Sequence, residues 1–418
     1  MLALNCTQAA LEILACCLDG RPCPPQRLGE LVRAAGSEDL ELAQQGTRAL
    51  FQILAEGLAD PFEPRLCDCY AEMFCRVISS VLPELEADSL LARYGRLRRP
   101  RVFAGGSEQA RRVLVLSRVT LGADIAVTSL VLDAAKRRFP EAEIVLAGGG
   151  KSQGLFVADG RVGRLPIPYS RSGILRERLA LWPALRDEAR RPGTIMIDPD
   201  SRLTQLGLLP LGPEENCFFF ESRAYGGESK ESLTMLTRRW LAETFGVSDA
   251  RAYVATSGPA DLGGRPLIAV SFGVGENPAK RIPDPFETEL LQTLARHHAL
   301  VLVDRGAGGE EAARVDRAIA ATGLGPDRVR AWEGPFADFA AIIAASRLYV
   351  GYDSAGQHAA AACGTPLVSV FAGFASPRMF DRWRPTGPGP IEVVRVDVPE
   401  PREVLDRTLA AVERLRVL

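Results

Sequence analysis

The segment Leu348-Tyr-Val-Gly-Tyr-Asp-Ser-Ala-Gly-Gln-His358 constrains the fold of this chain more than any other. An apolar run ends in a compact polar turn, which opens directly into the small-residue segment 359–363. That pattern predicts a buried strand, a loop and a helix N-terminus. Gly364 reads as the helix stop and residues 366–371 (PLVSVF) as the next buried strand, so the polar turn belongs at the carboxyl end of a strand in an α/β layer. Open parallel sheets bind their ligands at that edge. A helix N-terminus presents unpaired N–H groups and a partial positive charge. The backbone of Ser354, Ala355 and Gly356 is therefore expected to cradle a phosphate or diphosphate, which points to a nucleotide-linked substrate.

At 418 residues and 47% apolar content, the chain has the length of about three domains and enough apolar material for several cores. Its formal charge of -2 gives no global attraction to nucleic acid or anionic membrane, so no nucleic-acid partner is expected and any such contact is local. No segment approaches the roughly 20 uncharged apolar residues of a membrane span. No basic residue precedes Arg21, and Glu12 interrupts the first apolar run. A secretory signal is not expected, and the default location is cytoplasmic, with at most peripheral contact with the inner membrane. Cys6, Cys16, Cys17, Cys23, Cys67, Cys69 and Cys75 crowd the start of the chain, yet they form CC and CxC pairs with no histidine before His297. Zinc sites show CxxC knuckles or accompanying histidines. Buried free thiols in a helical layer are expected ahead of a metal site or disulfides.

Residues 1–105 read as an all-α domain: Leu11, Leu14 and Leu18, then Leu50, Ile53 and Leu54, recur at helical spacing, with prolines 22–25 and 61–64 as breaks. Arg93-Tyr-Gly-Arg-Leu-Arg-Arg-Pro-Arg101 reads as an exposed basic connector, or as a local patch for an anionic acceptor or membrane surface. From Arg112 strands alternate with helices: strands at 113–116, 144–147, 194–197 and 217–220, and helices at 123–138 and 230–245. A Gly- and Pro-rich break follows at 257–266. A second series then has strands near Ile268, Val301, Val329, Val350 and Val368, and a final amphipathic helix at 401–418. The expected fold class is α/β, with two tandem Rossmann-like domains (106–258 and 259–418) behind the helical one.

Two more turns carry candidate chemistry. Ser117-Arg-Val-Thr-Leu-Gly-Ala-Asp124 ends the first strand of the α/β part and sets a carboxylate at a helix start, either as a cap or as a reactive group. Residues 270–283 begin the second series in the same way, with Lys280 and Arg281 after a glycine-containing turn. Phosphate binding and surface ion pairing are both open there.

Together the three turns resemble the glycosyltransferase family of the ADP-heptose:lipopolysaccharide heptosyltransferases (glycosyltransferase family 9), over about residues 112–400. The family's basic residue and the Asp six positions later are matched by Arg118 and Asp124, and its polar helix pair by Thr128 and Ser129. Its Lys-Arg-Trp-Pro turn is matched by Lys280, Arg281 and Pro283, with Ile282 for Trp. Its Asp-Ser-Gly-x-x-His turn is matched by Asp353, Ser354 and His358. The family glycines are displaced, with Ala123 and Ala355 in their places and Gly122 and Gly356 one residue away. Gly364-Thr-Pro, Phe371-Ala-Gly and Arg382-Trp-Arg-Pro385 also look like the family.

The resemblance implies a GT-B fold and metal-independent, inverting sugar transfer from a nucleotide-diphosphate sugar, with ADP-heptose the family-typical donor and no cofactor. It implies Asp124 as general base and Lys280 as stabiliser of the leaving diphosphate, with Arg281, Asp353, Ser354, Ala355, Gly356 and His358 around that diphosphate. His358 reads equally as a structural histidine. The segments 197–205 and 219–227 follow apolar runs and are expected at the cleft-facing edge of the first domain. Arg118, Asp200, Arg202, Glu221 and Arg223 are thus acceptor-side candidates, for a glycan, lipid-linked or protein acceptor in envelope glycan assembly; local ion pairing is the other reading. Asp198 and Asp200 also make a carboxylate pair of the kind that binds metal, with nothing else in support. The competing function is a catalytically silent binding or scaffold protein of the same fold, its helical domain docking a partner or a second copy.

Overall fold

The computed structural model describes residues 5–258, 265–275, 277–306 and 308–417. Most of the expected break at 257–266 lies outside the described residues. Two parallel sheets follow from runs of branched apolar residues buried on both sides, as parallel strands require. The first contains β1 (Arg112–Leu116), β2 (Glu143–Gly148), β3 (Val162–Pro166), β4 (Thr194–Asp198) and β5 (Cys217–Phe219), in the order β3-β2-β1-β4-β5. The second contains β6 (Leu267–Ser271), β7 (Leu300–Asp304), β8 (Val329–Trp332), β9 (Leu348–Tyr352), β10 (Leu367–Phe371) and β11 (Ile391–Arg395), in the order β11-β10-β9-β6-β7-β8. Each sheet is wound outward from a central pair, β1/β4 and β6/β9, and those switch points open a crevice at the strands' carboxyl ends. Among the described residues all strand pairings are parallel. The sequence reading omits β3 and β11. Both are edge strands with largely exposed or half-exposed residues, so neither shows a continuous apolar run.

Among the described residues six α-helices precede the sheets: α1 (Cys6–Leu18), α2 (Pro25–Ala35), α3 (Leu40–Arg48), α4 (Glu56–Ala59), α5 (Pro64–Val81) and α6 (Ala87–Leu97), with a π-helical stretch Ala49–Ala55 leading into α4. Pro25 and Pro64 stand at helix starts, where a missing N–H costs nothing. The helices are one layer of the first sheet. Ile13, Leu31, Leu54 and Phe74 share a continuous core with Leu114, Leu116, Val145, Ala147 and Met196 from β1, β2 and β4. The opposite face of that sheet, with Val113, Val115 and Ile197, packs on the helices Ser129–Arg138 and Leu233–Phe245. That second core continues through Phe339, Ile343 and Ala360 to Ala269 and Leu302 of the second sheet.

The expectation of an exposed basic connector at residues 93–101 is overturned. Leu90, Tyr94 and Leu97 repeat at helical spacing, so α6 takes in the segment as far as Leu97 and buries Arg93 and Tyr94. Arg93 donates to the Gly207 carbonyl at 3.2 Å, Arg98 pairs with Glu221 at 2.9 Å, and Arg101 donates to the Glu214 and Cys217 carbonyls. These cations brace α6 against the first sheet, and only Arg96 and Arg99 stay exposed. The cysteines are free thiols; Cys6, Cys17, Cys67 and Cys75 are buried, while Cys16, Cys23 and Cys69 are partly buried.

A protein lacking residues 1–105 would present Leu114, Leu116, Val145, Ala147 and Met196 to water. We expect it to be insoluble, or to bind a hydrophobic dye without a cooperative melt. A soluble, cooperatively melting 106–418 fragment would show instead that the helical region is a separable domain.

Candidate functional site

The carboxyl end of β1 turns sharply through Val119, a β-branched residue held at φ 74°, a conformation that surrounding contacts must impose. Asp124 supplies them. Its carboxylate accepts the Arg118 N–H at 2.7 Å, the Ser117 hydroxyl at 2.8 Å and the Thr128 hydroxyl at 2.8 Å, while Ser117 Oγ takes the Val119 N–H at 2.8 Å. Asp124 lies inside helical backbone, at φ -66°, and reaches back to the loop, so the reading of it as a helix cap is corrected. It has no solvent exposure. Burial pushes its carboxyl up, against the opposing hydrogen bonds from Ser152, Ser117, Thr128 and the Arg118 amide.

Beside this loop the carboxyl ends of β4 and β5 bring the acceptor-side candidates together and pair their charges internally. Arg118 donates to Ser222 Oγ at 2.6 Å and to the Pro199 carbonyl at 3.1 Å; Asp200 accepts from Ser222 at 2.7 Å and from Arg223. Asp200, at φ 68°, and Gln205 and Leu206, at 51° and 58°, add three more non-glycine residues in left-handed backbone. Glu221 pairs with Tyr94 and Arg98. The helical layer roofs the group: Tyr70 donates to the Gln205 carbonyl at 3.3 Å, and Arg118, Asp200, Glu221 and Arg223 are all buried. Arg202 keeps a side-chain exposure of 17% and stands 3.6 Å from Glu56. Burial raises Asp198 to about 6 and Glu221 to about 7. Asp198 is satisfied by the Ser201 N–H at 2.7 Å and the Thr204 hydroxyl at 2.5 Å. Among the described residues no group of histidine, cysteine, aspartate and glutamate has the arrangement of a metal site.

Across the crevice lies the second switch point. Lys280 Nζ is 2.7 Å from Asp353 Oδ2 and 3.0 Å from its carbonyl. Its turn is pinned by Asn277, whose amide donates to the Gly373 carbonyl at 2.9 Å. A Cβ on Gly373 would lie 2.5–2.7 Å from the Ala279 and Lys280 backbone, which is why glycine follows Phe371-Ala. Arg281 is engaged by Asp284 at 2.6 Å and by buried Glu287 at 3.5 Å. Ser354 caps the helix Ala355–Cys363 by backbone alone, without a side-chain bond to its first turn.

The two turns that carry the displaced glycines meet each other. A Cβ on Gly122 would lie 3.5 Å from Ala355 Cα and 3.2 Å from His358 Cδ2, so the Cβ-less residue lets the β1 loop sit directly on the N-terminus of the helix Ala355–Cys363. Gly356 is required from below, because a Cβ there would run into the Tyr349 hydroxyl. That hydroxyl is fully buried. His358 is buried edge-on to Trp383, with ring centroids 5.7 Å apart. Burial lowers it to about 4, Asp353 opposing and Lys280 adding to the shift, so it is neutral near pH 7. Two residues absent from the sequence candidates complete the site. Gln357 links Asp353, Ser369 and Trp383. Arg382, 1% exposed, donates to the Glu231 carbonyl at 2.8 Å, the Gly227 carbonyl at 3.0 Å and the Ser229 carbonyl, holding the first sheet's 227–231 segment against the second unit. A glutamine inside an otherwise alanine-rich helix was the available signal for the first.

Glu221 has a folded value above that of a free glutamate, so the folded protein holds its proton longer and this group's contribution to stability falls as pH rises from about 4.5 to about 7. His358 acts oppositely, with stability lost as pH falls from about 6.5 to about 4. Melting curves of Glu221→Gln should therefore lack the decline that wild type shows relative to it between about pH 4.5 and 7; parallel profiles would contradict the assignment. Gly356→Ala should cost about 1–3 kcal/mol by overpacking on Tyr349, whereas Ala355→Gly should cost under about 1 kcal/mol; denaturant melts compare them.

Residues 242–392 match the model of glycosyltransferase family 9 (heptosyltransferase). No curated protein matches the chain in sequence. Among solved structures, a glycosyl transferase family 9 protein from Veillonella parvula superposes with a TM-score of 0.54 at 15% identity, covering 73% of this chain and 97% of its own. The E. coli ADP-heptose lps heptosyltransferase II superposes with a TM-score of 0.50 at 20% identity, covering 73% and 99%. E. coli heptosyltransferase WaaC with ADP gives 0.51 at 18% identity, covering 73% and 98%. The two-sheet body thus has the GT-B heptosyltransferase fold, and over residues 242–392 the chain carries the sequence pattern of glycosyltransferase family 9.

Proposed function

We propose that this protein is a glycosyltransferase that moves a sugar from a nucleotide-diphosphate donor to an acceptor hydroxyl, inverting the anomeric centre without a metal. The observation that carries this reading is the second switch point, where the Lys280 ammonium stands beside Asp353 at the unpaired N-terminus of the helix Ala355–Cys363. Charge building on a leaving diphosphate is stabilised by such a cation and by helix N–H groups. The donor nucleotide favoured is ADP, with heptose as the sugar, by similarity to the E. coli heptosyltransferases. An acceptor in lipopolysaccharide or related envelope glycan assembly fits the same likeness. Asp124 is the proposed base, a role typically worth roughly 100-fold to 10,000-fold. For an acceptor hydroxyl to reach it, the Gly122 loop must first lift from the donor helix.

A specific observation favours the second reading, a silent protein that has kept the fold. Asp124 is sealed from solvent with its oxygens satisfied by hydrogen bonds, and the Arg118, Asp200 and Arg223 charges answer one another.

A thermal-shift series with ADP, GDP, UDP, CMP and dTDP separates the two. One nucleotide should raise the melting temperature, by an amount corresponding to about 2.7 kcal/mol at 100 times its dissociation constant, and Lys280→Ala should shrink the shift at the same nucleotide concentration. No shift with any of them supports the silent protein. Asp124→Asn, checked by its melt, should leave nucleotide binding and lower donor turnover at least about 100-fold; unchanged turnover removes Asp124 from the base role.

A further inference from the structure

We propose that Gln357 is a positioning residue for the donor diphosphate, an inference that rests on the nucleotide-sugar reading above. Its side chain is fully buried, and its polar groups have directed partners. The amide Nε2 donates to Asp353 Oδ1 and, at 3.2 Å, to the Trp383 carbonyl, while Oε1 accepts the Ser369 hydroxyl at 2.5 Å. The two amide hydrogens meet two obligate acceptors and the carbonyl meets a donor, so the flipped amide would set oxygen against oxygen twice. The orientation is therefore unique.

The consequence falls on Lys280. Asp353 divides its carboxylate, one oxygen to Gln357 and the other to the Lys280 ammonium 2.7 Å away. A carboxylate held on one side only is free to rotate about its Cβ–Cγ bond, which leaves the ammonium, on its long and flexible stem, with the Asp353 carbonyl at 3.0 Å as its one remaining fixed contact. With Gln357 in place the cation is fixed beside the first N–H groups of the helix Ala355–Cys363, where two phosphates would lie. The other hydrogen of the same amide ties this turn to Trp383, next to Arg382, which grips residues 227–231 of the first unit. Gln357 thus joins the donor turn to the segment that holds the two units together. A role confined to core packing would need none of these three polar partners aligned.

The test is ADP binding to the full-length chain by titration calorimetry, using Gln357→Met, which keeps the volume and removes the hydrogen bonds, in wild-type and Lys280→Met backgrounds. Gln357→Met should weaken ADP binding about tenfold in the wild-type background and by less than about twofold where Lys280 is already absent. Equal losses in both backgrounds would mean that Gln357 acts only through general packing, and an unchanged affinity with a native-like melt would also overturn the proposal. If Gln357→Met does not fold, Ser369→Ala frees the Gln357 carbonyl without opening the donor turn. It should weaken ADP by about threefold or more in the wild-type background alone, and wild-type affinity would overturn the proposal. Wild-type protein that binds none of ADP, GDP, UDP, CMP or dTDP would defeat the donor reading itself; binding in wild type with no effect of either variant defeats only the role of Gln357.

Discussion

A parallel sheet must be covered on both faces, and in this protein that requirement organises everything else. The first sheet has one face under the helices Ser129–Arg138 and Leu233–Phe245 and the other under the N-terminal helical layer together with the helices Leu175–Leu179 and Trp182–Ala189. Because α5 and α6 are part of that cover, Tyr70, Tyr94 and Arg98 arrive over the carboxyl ends of β4 and β5. The cover of the hydrophobic face and the roof over the charged cluster are therefore one structure. Covering apolar surface at roughly 25 cal/mol per Å² outweighs any single polar contact in the cluster, so the roof stays where the core places it.

The same logic sets the geometry of the crevice. One apolar core runs from the back of the first sheet through Phe339, Ile343 and Ala360 into the second. Large apolar contacts between units restrict their relative motion. Within that frame the two units meet at the most economical point, a glycine against an alanine at a helix N-terminus. The exchange of glycine and alanine on both sides is legible as a single adjustment: Gly122 admits Ala355 and His358, while Gly356 clears Tyr349. Seen as separate motif departures, the two changes look like damage to a binding loop. As a contacting pair they describe how closely the loops approach.

Strain and electrostatics gather at the same edge. Val119, Asp200, Gln205 and Leu206 all hold left-handed backbone at the ends of β1 and β4, and such strain persists only where surrounding contacts over-determine it. Asp124, Ser117 and Thr204 supply those contacts through hydrogen bonds to the backbone. The buried carboxyls of Asp198 and Glu221, raised by desolvation, belong to this framework as much as to any chemistry. Strongly perturbed groups at a crevice mark candidate sites, though ion-pair networks produce them too.

The sequence alone determined the alternation of strands and helices, since continuous apolar runs bounded by glycine and polar turns have few other ways to be buried. It also placed Lys280, Asp353 and Asp124 in the segments that follow strand ends, because turn position follows from chain order. Edge strands β3 and β11 escaped because exposed residues carry no apolar run, and Arg93 was misjudged because a cation's partners, here the Gly207 carbonyl, lie far along the chain. Only the tertiary structure decided which charges are paired, which way Arg281 turns, that Gln357 joins Asp353 to Trp383, and that the helical region is a layer of the first sheet. These outcomes depend on contacts between residues distant in sequence, and local periodicity holds no information about them.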